Sequence, residues 1–173
     1  DLAQENGDYK KMAALLLPLA ENGDAKAQHC LGELYYYGDG VEQSKIEAVK
    51  WYQKAAVQGL ADAQCDMGFV YAHGYGVPRD DAMAICWYEM AAMQDSGYAQ
   101  SHLAHMFLHG VGTPHDYGKA YALYKILAGK GEVDAMHHVG MFYEFGKGVV
   151  QSNRLARYWY KKALTLKNDP IYE

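Results

Sequence analysis

The sequence predicts an all-α protein in which antiparallel helix pairs stack into a solenoid. Three observations support this fold class. The same residues recur every 36 positions along the 173-residue chain, each copy contains two segments with helical apolar spacing, and a glycine-rich break separates the two segments. A unit of this size cannot bury its apolar face alone, so its neighbours must cover that face.

The period is clearest at five positions that carry the same residue in all four copies. These positions are Ala27, Ala63, Ala99 and Ala135; Gly38, Gly74, Gly110 and Gly146; Gly40, Gly76, Gly112 and Gly148; Ala48, Ala84, Ala120 and Ala156; and Tyr52, Tyr88, Tyr124 and Tyr160. We expect a single repeat domain over residues 1–173. It divides into an N-terminal half repeat, 8–24, and four repeats, 25–60, 61–96, 97–132 and 133–168.

Each copy is expected to contain two helices. In copy two, Ala63, Met67 and Tyr71 recur at four-residue intervals, which places them on one face of a helix. The segment YGVPRD then ends this helix, because Pro78 cannot continue it and glycine permits a turn with positive φ. The pattern predicts nine helices, a leading one and four pairs at 25–37/44–58, 61–73/80–94, 97–109/116–128 and 133–145/152–166.

Small residues recur where the two helices of a copy should cross closely. They are Gly32, Gly68, Ala104 and Gly140. Copy three also departs from the pattern in other ways, since Leu123 replaces a tryptophan and Asp95 stands in the preceding turn where the other copies have glycine. Gly129 is expected to shorten the second helix of that copy, because glycine is a poor helix former.

The pattern A-x-x-x-L/M-G-x-x-Y-x-x-G-x-G-V, followed by A-x-x-W-Y-x-x-A-A, closely resembles the Sel-one-like repeat (SLR), a relative of the tetratricopeptide repeat (TPR). The resemblance covers about residues 8–166. It implies a right-handed α/α solenoid with a concave groove and a role in holding proteins together. Bacterial members commonly act as adaptors in envelope, virulence or signalling processes, and eukaryotic relatives serve in membrane-protein quality control. The leading segment looks like the start of small bacterial SLR proteins, many of them exported, which favours a periplasmic over a cytoplasmic location.

The composition excludes several classes of function. The formal net charge is −5, the pI is about 5.9, and there is no basic stripe, so nucleic-acid binding is not expected. The longest apolar stretch, near residues 12–20, is too short to span a bilayer. Cys30, Cys65 and Cys86 form neither a disulfide framework nor a paired zinc motif. The chain begins at Asp1, so we expect a processed or trimmed product, and the tail TLKNDPIYE offers no polar capping helix.

Histidines are concentrated on the predicted first helices. His102, His105 and His109 fall within one helical sector opposite the packed residues of their helix, so they should face the groove. Three interpretations remain open: a solvated polar wall, a ligand-contacting surface, or a metal site. For the metal site, His105 and His109 have the spacing of a chelating pair, and His102, His137 or His73 could supply a third nitrogen.

The resulting functional prediction is a non-catalytic scaffold or adaptor that binds a partner protein or peptide, chiefly through the groove. The candidate contacts on the first helices are Tyr36, Tyr37, Phe69, His73, Tyr98, His105, His109, Met141 and Phe145. Aromatic rings would supply contact area, and histidines would supply hydrogen bonds and pH sensitivity. We expect no cofactor, no nucleic acid, no embedding in a membrane, and a monomer or weak self-association.

Two alternatives to the scaffold remain. One is a histidine-rich metal-binding or pH-responsive sensor. The other is an enzyme that binds or hydrolyses β-lactams, an activity described for some SLR proteins. The enzyme hypothesis requires an activated nucleophile, and none of the four serines has a lysine three residues later. The repeated G-x-G segments follow helices rather than strands, which argues against dinucleotide binding. We therefore expect no catalysis.

Overall fold

The computed structural model describes residues 2–167, with side chains from residue 7 onward. Within that range it contains nine α-helices and no strand. Their bounds are α1 Leu2–Glu21, α2 Ala25–Tyr37, α3 Lys45–Val57, α4 Ala61–His73, α5 Asp81–Ala92, α6 Gly97–His109, α7 Tyr117–Gly129, α8 Val133–Phe145 and α9 Asn153–Lys167. The prediction of an all-α protein built from helix pairs is confirmed. The prediction about the C-terminal tail concerns residues 168–173 as well, which lie outside the described range.

The predicted helix bounds agree with the structure to within one or two residues, apart from one detail. Gly129 was expected to shorten the second helix of copy three, and this was wrong, because α7 has 13 residues, as many as α3. Gly129 is the last, exposed residue of α7 and adds no strain there. The low helix propensity of glycine costs about 1 kcal/mol in a helix interior and little at its end.

Side-chain caps explain why the helices begin where they do. Asp24, Ser44, Asp80 and Asp116 each accept a hydrogen bond from the backbone amide three residues later. At the other end, glycines close α2, α4 and α8 in the left-handed conformation. The aspartate, serine and glycine residues at these positions of the sequence therefore determine where the helices begin and end.

The chain divides into two compact units, the first ending at Ser96 and the second beginning at Gly97. In unit one, α1 to α5 pack in chain order, each helix against the next. In unit two, α6 to α9 pack in the same way. The core of unit one contains Tyr52, Met67 and Trp87, with buried alanines between them. This is the arrangement expected of repeats that bury one another's apolar faces.

The small residues that recur in the first helices allow the helices of a pair to pack closely. A Cβ atom added at Gly68 would stand 2.6 Å from the ring of Tyr88, and one added at Gly32 would stand 2.6 Å from Tyr52. The turn glycine Gly76 approaches backbone instead, since a Cβ atom there would lie 2.4 Å from the carbonyl oxygen of Lys45 in the preceding repeat. The glycine columns of the sequence therefore mark contacts within and between repeats.

Buried glutamines also join consecutive repeats. Gln28 donates to the carbonyl oxygen of Ala20 at 2.9 Å, and Gln64, one repeat later, donates to that of Ala56 at 3.2 Å. The side-chain oxygen of Gln64 in turn accepts from Gln94 at 2.8 Å. These bonds satisfy the amides of side chains that are almost fully buried, which is the condition for burying them at low cost.

Candidate partner-binding surfaces

Five aromatic side chains meet on unit one and form what we name the aromatic surface: Tyr36, Tyr37, Phe69, His73 and Tyr75. Tyr36 and Tyr37 end α2, while Phe69 and His73 lie one turn apart at the end of α4. The ring centroids of Phe69 and His73 are 4.3 Å apart, and those of Tyr36 and Phe69, on different helices, are 6.4 Å apart. The structure thus brings together the four residues of unit one that the sequence singled out.

The aromatic surface has a fixed base and an exposed rim. Tyr36 and Phe69 are half-buried and pack against the core of unit one. Tyr37 is 64% exposed and Tyr75 is 40% exposed. Rings held in this way lose little conformational entropy when they bind, and they offer a large contact area.

Two members of this region were missed by the sequence analysis. The Lys45 ammonium group donates to the carbonyl oxygen of Tyr36 at 2.6 Å and lies 3.1 Å from the centroid of the Tyr36 ring. Burial lowers the pKa of Lys45. Tyr75 stands in the turn after α4, with its ring stacked on His73 at 5.5 Å. Helical periodicity cannot place a residue in a turn, such as Tyr75, or a long side chain from another helix, such as Lys45. The one available signal was the sequence Gly74-Tyr75-Gly76, which puts an aromatic residue in a tight turn.

Unit two has a cleft lined mainly by residues at the repeat positions that form the aromatic surface in unit one. It has a volume of about 160 Å³. Its lining residues are Leu108, His138, Met141, Phe142, Phe145 and Lys147. Two of the predicted contacts, Met141 and the 60%-exposed Phe145, are therefore brought together here.

The histidine face of α6 lies outside the core, as the helical geometry indicates. His105 and His109 are exposed, with ring centroids 4.3 Å apart, and His102 is half-buried with its ring 4.4 Å from that of Tyr98. Burial, and then the positive charge of His109, lower the pKa of His105. At neutral pH the His105 ring is therefore uncharged, so it can donate one hydrogen bond and accept one.

His138 in α8 is the more enclosed histidine of unit two. Its ring stacks on Tyr124, with centroids 4.2 Å apart and an interplanar angle of 19°. Burial, and then the charge of His137, lower the pKa of His138. The same burial raises the pKa of Tyr124 to about 12, so both rings are neutral over the physiological range.

Among the described residues, the side chains close enough to share a metal ion lie on α2 and not on the histidine face of α6. They are His29, Cys30 and Glu33, whose ligand atoms lie within 4.8 Å of one another. Cys65 on α4 is buried, with its sulfur 3.1 Å from the Ser96 hydroxyl oxygen.

In the range that the structure describes, no helix is long and apolar enough to cross a membrane. The stacked helix pairs and their exposed aromatic surface define an α-helical repeat protein of the kind that typically mediates protein–protein interactions. The family model described as Sel1 repeat matches residues 25–60, 61–96, 97–132 and 133–168. The chain belongs to the Sel1 repeat family.

Solved structures share this fold. A protective antigen present in uropathogenic Escherichia coli strains, which displays an SLR fold, is 32% identical, with a TM-score of 0.88 over 92% of this chain and 34% of that one. A Sel1 repeat protein from Oxalobacter formigenes is 33% identical, with a TM-score of 0.81 over 88% of this chain and 63% of that one.

A third similar structure is more distant. A Sel1 repeat protein from Klebsiella pneumoniae subsp. pneumoniae is 23% identical, with a TM-score of 0.55 over 90% of this chain and 74% of that one, and it shows the fold alone. The chain thus spans about a third of the E. coli protein and less than two thirds of the Oxalobacter protein. A search of curated proteins found no match.

Proposed function

We propose that this protein is a non-catalytic scaffold that binds a partner protein or peptide chiefly through the groove predicted from the sequence, with contacts made by residues of the first helices. The observation that carries the proposal is the aromatic surface, because its rings pack against one another and against the core while Tyr37 and Tyr75 remain open to solvent. Exposed aromatic clusters of this kind are the usual anchors of protein interfaces.

The chemistry of the surfaces indicates what a partner offers. Apolar side chains of the partner fit against the rings of Tyr37, Phe69 and Tyr75, and the hydroxyl groups of the two tyrosines supply hydrogen bonds at the rim. On unit two, a cleft of about 160 Å³ suits a single aromatic or aliphatic side chain, since a cavity of about 150 Å³ accommodates a benzene-sized group. Met141 and Phe145 would contact that side chain.

The first test is a crosslinking pull-down from source cells, read by mass spectrometry, with the wild type compared to a Tyr37→Ala/Phe69→Ala double variant. We expect a partner that the wild type captures and the double variant loses. Truncating two anchor residues at an interface typically removes more than 2 kcal/mol of binding free energy, which is about 30-fold or more in affinity.

The matched control is Tyr158→Ala, because the Tyr158 ring is 56% exposed and lies on the second helix of its pair. Phe69 packs partly against the core, so thermal unfolding is followed for each variant, and Tyr37→Ala alone provides a change that leaves the core intact. Equal capture by the wild type and the folded Tyr37→Ala and double variants would contradict the assignment of the partner site to the aromatic surface.

A pH-responsive form of this function is the second candidate, and the lowered pKa values of His105 and His138 favour it. As the pH falls below 6.5 and through the lower pKa values that these histidines have in the folded protein, protonation would place positive charge beside Met141 and Phe145. The test is partner affinity at pH 7.5 and pH 5.5. A His105→Gln/His138→Gln variant should show a smaller change between the two than the wild type, and an unchanged pH dependence would reject the sensor.

A further inference from the structure

Three side chains in the first repeat bring metal-ligating atoms together. A ring nitrogen of His29, the sulfur of Cys30 and a carboxylate oxygen of Glu33 all lie within 4.8 Å of one another on α2. The His29 side chain is only 15% exposed, and Cys30 is half-buried, whereas the Glu33 side chain is 48% exposed. His29 and Cys30 are therefore held by the packing around them, whereas the exposed Glu33 side chain can rotate.

An independent contact fixes how His29 presents its nitrogen atoms. The Nε2 atom of His29 lies 2.7 Å from Oδ2 of Asp66 on α4, 37 residues further along the chain. A carboxylate only accepts, so Nε2 carries the proton, and in the neutral ring Nδ1 keeps its lone pair. Nδ1 lies on the side of Glu33, 3.9 Å from its Oε2. Metal-binding histidines usually donate their other ring N–H to a carboxylate, carbonyl or water, which fixes the orientation of the ring.

The repeat itself shows that packing does not require this group. The positions equivalent to His29 are Cys65, Ser101 and His137, and those equivalent to Cys30 are Asp66, His102 and His138. The positions equivalent to Glu33 are Phe69, His105 and Met141. No other copy carries histidine, cysteine and glutamate together, although all four copies form the same helix. The group is therefore specific to the first repeat and is not a requirement of the fold.

We propose that His29, Cys30 and Glu33 bind a zinc-class divalent ion, with Asp66 as the positioning residue for His29. Imidazole, thiolate and carboxylate together are donors that zinc accepts, whereas calcium and magnesium prefer oxygen ligands alone. A thiolate and a carboxylate also balance the two positive charges of the ion.

The geometry requires only small adjustments. Metal–ligand distances of about 2.0–2.3 Å in a tetrahedral site put ligand atoms about 3.3–3.6 Å apart, so separations of up to 4.8 Å must shorten by about 1.5 Å at most. The exposed Glu33 can make such a shift by rotating. Three protein ligands leave a fourth position for water or for a ligand from a partner.

The test uses the full chain, reduced and freed of metal with a chelator, and titrates it with Co²⁺ as a spectroscopic substitute for Zn²⁺. We expect a thiolate-to-cobalt charge-transfer band that saturates at one ion per chain and disappears when Zn²⁺ is added. Cys30→Ser should abolish the band, and Cys86→Ser, which changes the exposed cysteine of α5, should leave it intact.

The positioning role of Asp66 has its own readout. Asp66→Asn should weaken cobalt binding by about 10- to 100-fold while the saturated spectrum keeps its charge-transfer band, because the ligands themselves are unchanged. Circular dichroism confirms that each variant is folded. An unchanged affinity in folded Asp66→Asn would overturn the role given to this carboxylate.

A measurement on the wild type alone avoids any dependence on the folding of a variant. Zn²⁺ should slow the alkylation of Cys30 by iodoacetamide, followed by mass spectrometry, and should leave the alkylation of Cys86 unchanged. The absence of a charge-transfer band in the wild type, its retention in Cys30→Ser, or equal alkylation of Cys30 with and without Zn²⁺ would each overturn the metal site.

Discussion

Replacing Gly76 by alanine tests the close contact between consecutive repeats. Gly76 has a φ of 75°, and a Cβ atom there would lie 2.4 Å from the carbonyl oxygen and 2.6 Å from the carbonyl carbon of Lys45. No rotation of a side chain relieves an overlap with backbone atoms, so the turn and α3 must move apart. We therefore expect Gly76→Ala to destabilise unit one well beyond the cost of the turn conformation itself.

The control isolates the contact from the conformation. Gly59 also has a positive φ, 92°, but a Cβ atom there would meet nothing within 4 Å. Placing alanine in the left-handed region costs about 1–2 kcal/mol at either position, and the entropy that alanine removes from the unfolded chain is also the same. The overlap adds about 1–3 kcal/mol at Gly76 alone, a typical cost for forcing atoms into packed space.

Unfolding by heat and by urea, followed by circular dichroism, measures the difference. At about 2–4 °C per kcal/mol for a chain of this size, Gly76→Ala should melt about 2–12 °C below Gly59→Ala. Equal melting temperatures for the two variants would refute the reasoning, because they would mean that the backbone of Lys45 does not crowd position 76.

Two further predictions concern buried polar groups. Gln64→Ala should lower the free energy of unfolding by about 1–3 kcal/mol, since it removes two hydrogen bonds of an almost fully buried side chain, the one that Gln64 donates to the carbonyl oxygen of Ala56 and the one that it accepts from Gln94. Gln64→Met/Gln94→Leu should recover part of that loss by installing the apolar pair that copy four carries as Met136 and Leu166. Urea denaturation of the two variants checks this, and a double variant no more stable than the single one would contradict it. Burial, then a neighbouring histidine, lowers the pKa of His138, so below pH 6.5 the unfolded chain binds the proton more readily than the folded one. The stability that neutral His138 provides is present above pH 6.5 and is lost as the pH falls through its folded pKa. The free energy of unfolding of His138→Gln should therefore fall less between pH 7 and pH 5 than that of the wild type. Parallel pH profiles for the two proteins would exclude this contribution.

The first-helix contacts show how far sequence reasoning reached into the candidate site. A helix repeats every 3.6 residues, so the outward direction of Phe69 and His73 follows from their spacing relative to the packed residues of α4. The same reasoning had no access to Lys45, which reaches Tyr36 from the next helix, or to Tyr75, which stands in a turn. Both depend on distances between elements, and a one-dimensional period does not contain those distances.

The α2 metal-ligand group illustrates the same limit more sharply. His29, Cys30 and Glu33 are neighbours in sequence, but their spacing matches no established metal motif, and the more numerous histidines of α6 are more conspicuous. The contact that distinguishes the group is made by Asp66, 37 residues away. Only stacking of the second repeat on the first brings that carboxylate to His29.

The sequence by itself determined the number of helices, their bounds and the face that each one buries, because caps, glycines and apolar periodicity are local signals repeated four times. The tertiary structure alone decided which side chains meet across repeats: the rings of the aromatic surface, the bond from His29 to Asp66, and the approach of Gly76 to Lys45. The physical reason is that local backbone preferences extend over a few residues, whereas these contacts join residues about 30 positions apart and depend on how closely two helices pack.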